Sequence, residues 1–286
     1  MSVHDLPPLR EVIAAHGLAA NKALGQHFLL DLNLTAKIAR FAGPLDDRVV
    51  IEVGPGPGGL TRALLNAGAA GVIAVEKDAR FIPALSELEG AAGGRLHIEH
   101  ADALTLDEPR LLASVAPDRK CCVVSNLPYN VGTQLLIKWL SGPTWWESLT
   151  LMFQYEVAER IVARPGQSAY GRLAVLSALR AMPQPGFGAP ARAFTPPPKV
   201  DSAVVRLDPI ADPYPDVQAL ETVTAAAFGQ RRKMLRKSLK QLGDAMGLIE
   251  AANVDPKARP EDLAPADFAR LATAWRATTS GSGRAS

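Results

Sequence analysis

Val49-Val50-Ile51-Glu52-Val53-Gly54-Pro55-Gly56-Pro57-Gly58-Gly59 decides the fold. Four of its first five residues are β-branched and apolar, the composition of a buried strand. The glycines that follow lead into a helical pattern from Leu60 to Ala67. Glycines in such a turn let a backbone approach a ligand closely and let the helix start tight against the strand. Gly54, Gly56 and Gly59 satisfy the dinucleotide pattern G-x-G-x-x-G, which leaves open which nucleotide is held.

Outward from this turn, short apolar runs alternate with helical patterns. Gly71–Glu76, Leu96–Glu99, Cys121–Ser125 and Leu149–Phe153 read as further strands, and Ala203–Leu207 has the composition to close the sheet. Helices are expected over Leu32–Ala42, Gly132–Leu140, Glu156–Val162 and Gly171–Ala181. The alternation predicts an α/β domain with a largely parallel sheet and helices on both faces. The Pro-, Gly- and Ala-rich segment Pro183–Pro198 reads as a stiff extended connector. A boundary is placed near residue 210, in Asp208-Pro209-Ile210-Ala211-Asp212-Pro213. Beyond it the pattern is helical, over about 216–228, 230–242, 245–252 and 267–276, and Thr278–Ser286 is expected to fray.

Composition narrows the class. At 286 residues with 48% hydrophobic content, the chain has material for one full α/β domain and a smaller one. No apolar run reaches the length of a membrane span, and the N-terminus lacks a signal pattern. The only cysteines, Cys121 and Cys122, are neighbours in a strand and point to opposite faces, so they cannot join in an ordinary disulfide. With five scattered histidines there is no zinc spacing. These features predict a reduced, cytoplasmic, metal-free protein. The net charge is only +2, yet Arg231, Arg232, Lys233, Arg236, Lys237 and Lys240 crowd ten positions that hold no acid. Such a run is either a solvated helix face or a phosphate-binding surface.

Asn126-Leu127-Pro128-Tyr129 carries the chemistry. It follows a strand at its C-terminal end, where open α/β sheets bind ligands. The Asn126 amide oxygen and the Pro128 carbonyl form a pair of acceptors suited to an exocyclic amine, and Tyr129 offers a ring on which a base can stack. Glu76, at the end of the second strand, stands where an acid can bind ribose hydroxyls. Asp102, after the third, is placed either to accept from an adenine amine or to cap a helix. No hydride-transfer site accompanies these residues, whereas a methyl donor facing an amine clamp accounts for all of them.

The segments Leu24–Asp31, the glycine loop, Asn126–Asn130 and Phe194–Ser202 occur in an order and spacing that resembles the ribosomal RNA adenine dimethyltransferases, nearest to their small-subunit branch. The resemblance runs from about residue 20 to 240. It implies a Rossmann-like, class I S-adenosylmethionine-dependent methyltransferase domain with an N-terminal extension over residues 1–210, and a smaller all-helical RNA-binding domain over 211–286. It implies that His27 and Leu29 contact S-adenosylmethionine with Gly54, Glu76, Asp102 and Asn126. His27 stands where many family members carry Asn, and a packing role for it stays open. The resemblance also implies that Asn126, Pro128, Tyr129 and Phe194 are catalytic, with Phe194 supporting the second face of an extruded base or else plugging the core. Arg172, in Tyr170-Gly171-Arg172-Leu173, either touches RNA phosphate or caps a helix.

The implied reaction is double methylation of the exocyclic nitrogen of two adjacent adenosines in a hairpin near the 3′ end of 16S rRNA. The implied partner is the immature small ribosomal subunit, met by a monomer. Three alternatives share parts of the pattern: a DNA adenine methyltransferase, a large-subunit rRNA adenine dimethyltransferase, and an assembly factor acting mainly by binding.

Overall fold

The computed structural model of the protein describes residues 2–20 and 25–281. Leu24, the first residue of the N-terminal motif, lies outside them. The chain divides into two compact units, Met1–Ala158 with Gln184–Asp208, and Glu159–Pro183 with Pro209–Ser286. The segment Glu159–Pro183, expected within the first domain, therefore groups with the C-terminal helices.

The strands, in chain order, are β1 (Phe28–Leu29), β2 (Arg48–Val53), β3 (Gly71–Glu76), β4 (Leu96–His100), β5 (Lys120–Asn126), β6 (Ser148–Gln154), β7 (Ala181–Ala189), β8 (Phe194–Thr195) and β9 (Ser202–Pro209). The α-helices are α1 (Leu9–Ala15), α2 (Leu32–Phe41), α3 (Gly59–Asn66), α4 (Ile82–Ala91), α5 (Glu108–Val115), α6 (Gly132–Ser141), α7 (Tyr155–Val162), α8 (Arg172–Arg180), α9 (Val217–Gly229), α10 (Leu235–Ser238), α11 (Ala245–Ala251) and α12 (Pro265–Gly281).

Seven strands form one sheet in the order β4-β3-β2-β5-β6-β9-β7. β2 pairs in parallel with β3 and β5, β3 with β4 and β5 with β6, while β9 runs antiparallel to β6. The central strands are continuous apolar runs because both of their faces are covered. Val50, Cys122 and Val124 face one core with Ile38, Leu64 and Val204. Both cysteines are buried and free. Desolvation pushes the Cys122 thiol up to about 12, so it behaves as a small hydrophobe.

Four local readings change. The first part of the Pro183–Pro198 connector, up to Ala189, is a strand, β7, at the edge of the sheet. An edge strand leaves one side unpaired, which is where prolines are tolerated. Gly186 is required there, since a Cβ on it would lie 2.6 Å from the Val204 carbonyl oxygen. Helices α1, α4 and α5 carry no strong sequence signal. Pro83 and Pro109 sit in the first turns of α4 and α5, where the missing N–H costs nothing.

The helix expected over 230–242 is broken. Only α10 and a 3-10 turn at Leu239–Leu242 form. A continuous helix would stack Arg232 on Arg236, Lys233 on Lys237 and Arg236 on Lys240, like charges one turn apart. At the chain's end, α12 continues to Gly281 where fraying from Thr278 was expected, and residues 282–286 lie outside the described ones.

The second unit is held by an aromatic centre. Phe228 stacks on Phe268 with ring centroids 5.4 Å apart and meets Tyr170 edge-on at 5.9 Å. The Tyr170 hydroxyl donates to the Leu263 carbonyl at 2.8 Å. Arg276 donates twice to Asp216, which also caps α9 through Ala219 N–H. No helix among the described residues is long and apolar enough to cross a membrane.

Candidate active site

The ends of β2, β3 and β5 converge on a cavity of about 440 Å³, within the range of small-molecule sites. Two bonds lock the strand ends together: Gly54 N–H donates to the Val75 carbonyl at 2.9 Å, and the Ser125 hydroxyl to the Val53 carbonyl at 2.6 Å. Gly54 has φ +70°, and a Cβ on it would stand 3.1 Å from Pro128 Cγ. The glycine loop and the Asn126–Tyr129 turn therefore abut, with no room for a side chain between them. His27, Leu29, Gly54, Glu76, Asp102, Asn126, Pro128 and Tyr129 all line this one cavity.

Glu76 is 5% exposed, and its carboxylate accepts from Gly56 N–H at 3.1 Å and Asp78 N–H at 2.8 Å. Burial pushes its carboxyl up, against the pull of those two donors. Asp102 accepts from Lys77 Nζ at 2.7 Å and Leu104 N–H at 3.0 Å, and the Lys77 bond is the main cause that holds it below the usual carboxylate range. An oriented acid at the end of β3 and a second after β4 match the ribose hydroxyls and the amine of an adenine nucleoside. The glycine turn leaves space for its backbone approach. The donor set fits S-adenosylmethionine.

Sequence reading missed Glu52. It lines the cavity, is 2% exposed, and accepts from the Thr61 hydroxyl at 2.6 Å. Desolvation pushes it up to about 8. Also missed was a clamp at the cavity's rim. Asp78 takes bonds from Gln26 and Arg80 and is held down to about 2, chiefly by Arg80. Gln26 reaches this pair from 52 residues away, which leaves no local sequence signal.

The acceptor turn needs one correction. The Pro128 carbonyl already accepts from Val131 N–H at 3.1 Å and Gly132 N–H at 2.9 Å, starting α6, so both of its lone pairs are engaged. Among the described residues the carbonyl of Leu127, which also lines the cavity, accepts no hydrogen bond. Pro128 serves as a spacer beside Gly54 and as the N-terminal anchor of α6.

Tyr129 shares a 2.5 Å hydrogen bond with the Ser202 hydroxyl, which fixes its ring. His27 lies beside it, ring centroids 5.3 Å apart, and donates from Nδ1 to the Pro196 carbonyl at 2.7 Å. Phe194 does not join them. In the β1–β8 pair it stands opposite Leu29, and it is 2% exposed within the core cluster. That burial favours the core plug over a face for the base.

A family model described as ribosomal RNA adenine dimethylase matches residues 17–276. The chain belongs to this family. Ribosomal RNA small subunit methyltransferase A of Phenylobacterium zucineum (strain HLK1) is 62% identical to it over 279 residues, covering 97% of this chain and 95% of its own. Among solved structures, a dimethyladenosine transferase from Plasmodium falciparum matches with TM-score 0.73 at 25% identity, over 86% of this chain and 96% of that one. The 23S rRNA methyltransferase ErmE matches with TM-score 0.65 at 26% identity, over 87% and 99%. The dimethylase family's class I methyltransferase fold is the fold described above.

The second unit of this dimethylase carries the remaining candidates. Arg232, Lys233, Arg236, Lys237 and Lys240 are exposed. Arg231 differs, because it donates to Glu261 at 2.8 Å and to the Gln167 carbonyl at 3.2 Å, tying the loop before α8. Arg172 is exposed as the first residue of α8. A cation in a first turn is opposed by the helix dipole, so Arg172 is no cap.

Proposed function

We propose that the protein is an S-adenosylmethionine-dependent rRNA adenine N6-dimethyltransferase of the small-subunit branch. In this reading it methylates two adjacent adenosines in a hairpin near the 3′ end of 16S rRNA, as a cytoplasmic monomer acting on the immature small subunit. The observation that carries the reading is the acceptor pair at the end of β5, the Asn126 side chain and the unengaged Leu127 carbonyl, one Pro128 ring away from Gly54.

When bound, S-adenosylmethionine supplies a methyl group already activated on a sulfonium. Glu76 and Asp102 orient its nucleoside. Asn126 Oδ1 and the Leu127 carbonyl accept the two N–H bonds of the adenine amine, drawing it towards tetrahedral geometry and localising its lone pair. Tyr129, its hydroxyl fixed by Ser202, stacks on the extruded base. Catalysis is then by proximity and orientation, with no nucleophilic side chain. The proton released on methylation needs no strong base, since the methylated amine is far more acidic.

The exposed cations of the second unit, Arg172 included, suit a phosphate backbone. The 62% identity to a small-subunit enzyme, against 26% to ErmE, favours the small-subunit target over the large. The test is transfer of labelled methyl from S-adenosylmethionine to unmethylated small subunits, large-subunit RNA and DNA in parallel, with nucleoside analysis. Dimethyladenosine confined to the small subunit is the expected result. Label on large-subunit RNA or DNA instead would overturn the substrate, and label on none would overturn the reaction.

A further inference from the structure

The loop after β4 forms one wall of the cavity through Asp102, Ala103 and Leu104, yet it has no helix or strand of its own. Its turn is closed locally by Thr105 N–H and Leu106 N–H on the Asp102 carbonyl, at 3.0 and 3.1 Å. From outside, the exposed Lys77 reaches only the Asp102 side chain, and what fixes the loop's backbone is Lys138, on α6. Lys138 Nζ donates to the Ala103 carbonyl at 2.7 Å and the Leu106 carbonyl at 2.5 Å. Its remaining N–H goes to Glu108, whose two carboxylate oxygens both stand 2.8 Å away. An ammonium has three N–H donors, and all three are used.

Glu108 is itself held. It is 3% exposed, and Oε1 also accepts from Trp139 Nε1 at 2.7 Å. Two successive residues of α6 thus grip one buried carboxylate and, through it, the start of α5. The same helix begins at the acceptor turn, where Val131 and Gly132 N–H donate to the Pro128 carbonyl. One rigid element therefore ties the wall carrying Asp102 to the turn carrying Asn126.

We infer that the Lys138–Glu108 pair is a positioning device that holds the Asp102–Leu106 loop at a set distance from the acceptor turn and so sets affinity for the methyl donor. The inference rests on the cavity being the S-adenosylmethionine site. A pair serving only the fold would contribute to melting temperature and nothing else, which makes the two roles separable.

The informative variant is Lys138→Met with Glu108→Gln. It strands no buried charge and keeps an acceptor for Trp139, so the fold is spared the cost of an unpaired carboxylate. Calorimetry with S-adenosylmethionine and hydrogen exchange at Leu104–Leu106 are measured on the full chain. The dissociation constant should rise on the order of tenfold, the loss of charge-assisted bonds, and loop exchange should quicken. The KM for RNA should stay unchanged, and Lys138→Arg should recover most of the affinity. Should the double variant not fold, the single Glu108→Gln, which keeps the partly exposed Lys138 on the Ala103 and Leu106 carbonyls, is expected to show the same direction with a smaller rise. Unchanged affinity and unchanged loop exchange in a folded variant would overturn the positioning role. Wild-type protein that fails to bind S-adenosylmethionine would overturn the cavity reading itself, and the inference with it.

Discussion

The cavity at the strand ends and the basic stretch 231–240 use polar groups in opposite ways. Around the cavity the carboxylates of Glu52, Glu76, Asp78 and Asp102 are each tied by one or more donors. In the basic stretch Arg232, Lys233, Arg236, Lys237 and Lys240 are exposed and, among the described residues, form no ion pair. Only Arg231 is committed, to Glu261. Methyl transfer demands groups fixed before the substrate arrives, because misplacement by a fraction of an ångström forfeits rate. Holding a phosphate backbone demands charge that can follow it, and solvated cations supply that at little cost.

The contrast can be broken most forcefully in the cavity. Gly54→Val would place a Cβ 3.1 Å from Pro128 Cγ at a φ of +70°, forcing the glycine loop and the acceptor turn apart. Methyl transfer should fall by more than about 100-fold, with S-adenosylmethionine binding lost in calorimetry. Near-normal binding would mean that the two loops are not mutually fitted.

Next in size is neutralising the five free cations to Gln. The KM for RNA should rise by roughly tenfold or more, and its salt dependence should flatten by about 0.7–0.9 in log–log slope for each cation that meets a phosphate. Turnover at saturating RNA should hold. Arg231→Gln sharpens the comparison: its main effect should be a lower melting temperature, because Glu261 loses the nearer of its two cations. A salt slope unchanged in the five-site variant would remove this stretch from the RNA interface.

A smaller effect tests the cost of preorganisation. Glu52 titrates at about 8 in the fold against an ordinary 4.5, chiefly through desolvation. As pH rises through that window the unfolded chain has already lost this proton while the folded chain keeps it. Stability from this group therefore falls between about 4.5 and about 8. Glu52→Gln, which keeps an acceptor for Thr61, should remove that decline, so its melting temperature should gain on wild type as pH rises across the window. A constant offset between the two proteins would mean Glu52 is ionised throughout. Smallest of all, Tyr129→Phe should change turnover by less than about threefold, since stacking needs the ring and the hydroxyl only anchors it.

What the sequence made legible was local. The β-branched run at Val49–Val53, the glycines after it and the Asn126–Tyr129 turn each carry their structure within a few residues, so these strand ends and the turns that line the cavity could be read from them. What stayed hidden depends on contacts far along the chain. Pro128 looked like a free acceptor until α6 was seen to start on its carbonyl. Phe194 stayed open between a face for a base and a core plug, and pairing with Leu29 turns it into the core. The prolines of β7 read as a connector because their edge position is a property of the sheet. The break at 230–234 reflects repulsion that an apolar periodicity does not register.

The acceptor pair is tested most directly by single-turnover methylation of unmethylated small subunits by Asn126→Ala, at saturating S-adenosylmethionine and saturating subunit. If Asn126 aims the adenine amine at the methyl group, the rate should fall on the order of 100- to 1,000-fold, while binding to the small subunit is retained. A variant that dimethylates at the wild-type rate would contradict the assignment of this cavity as the place where the nitrogen is held.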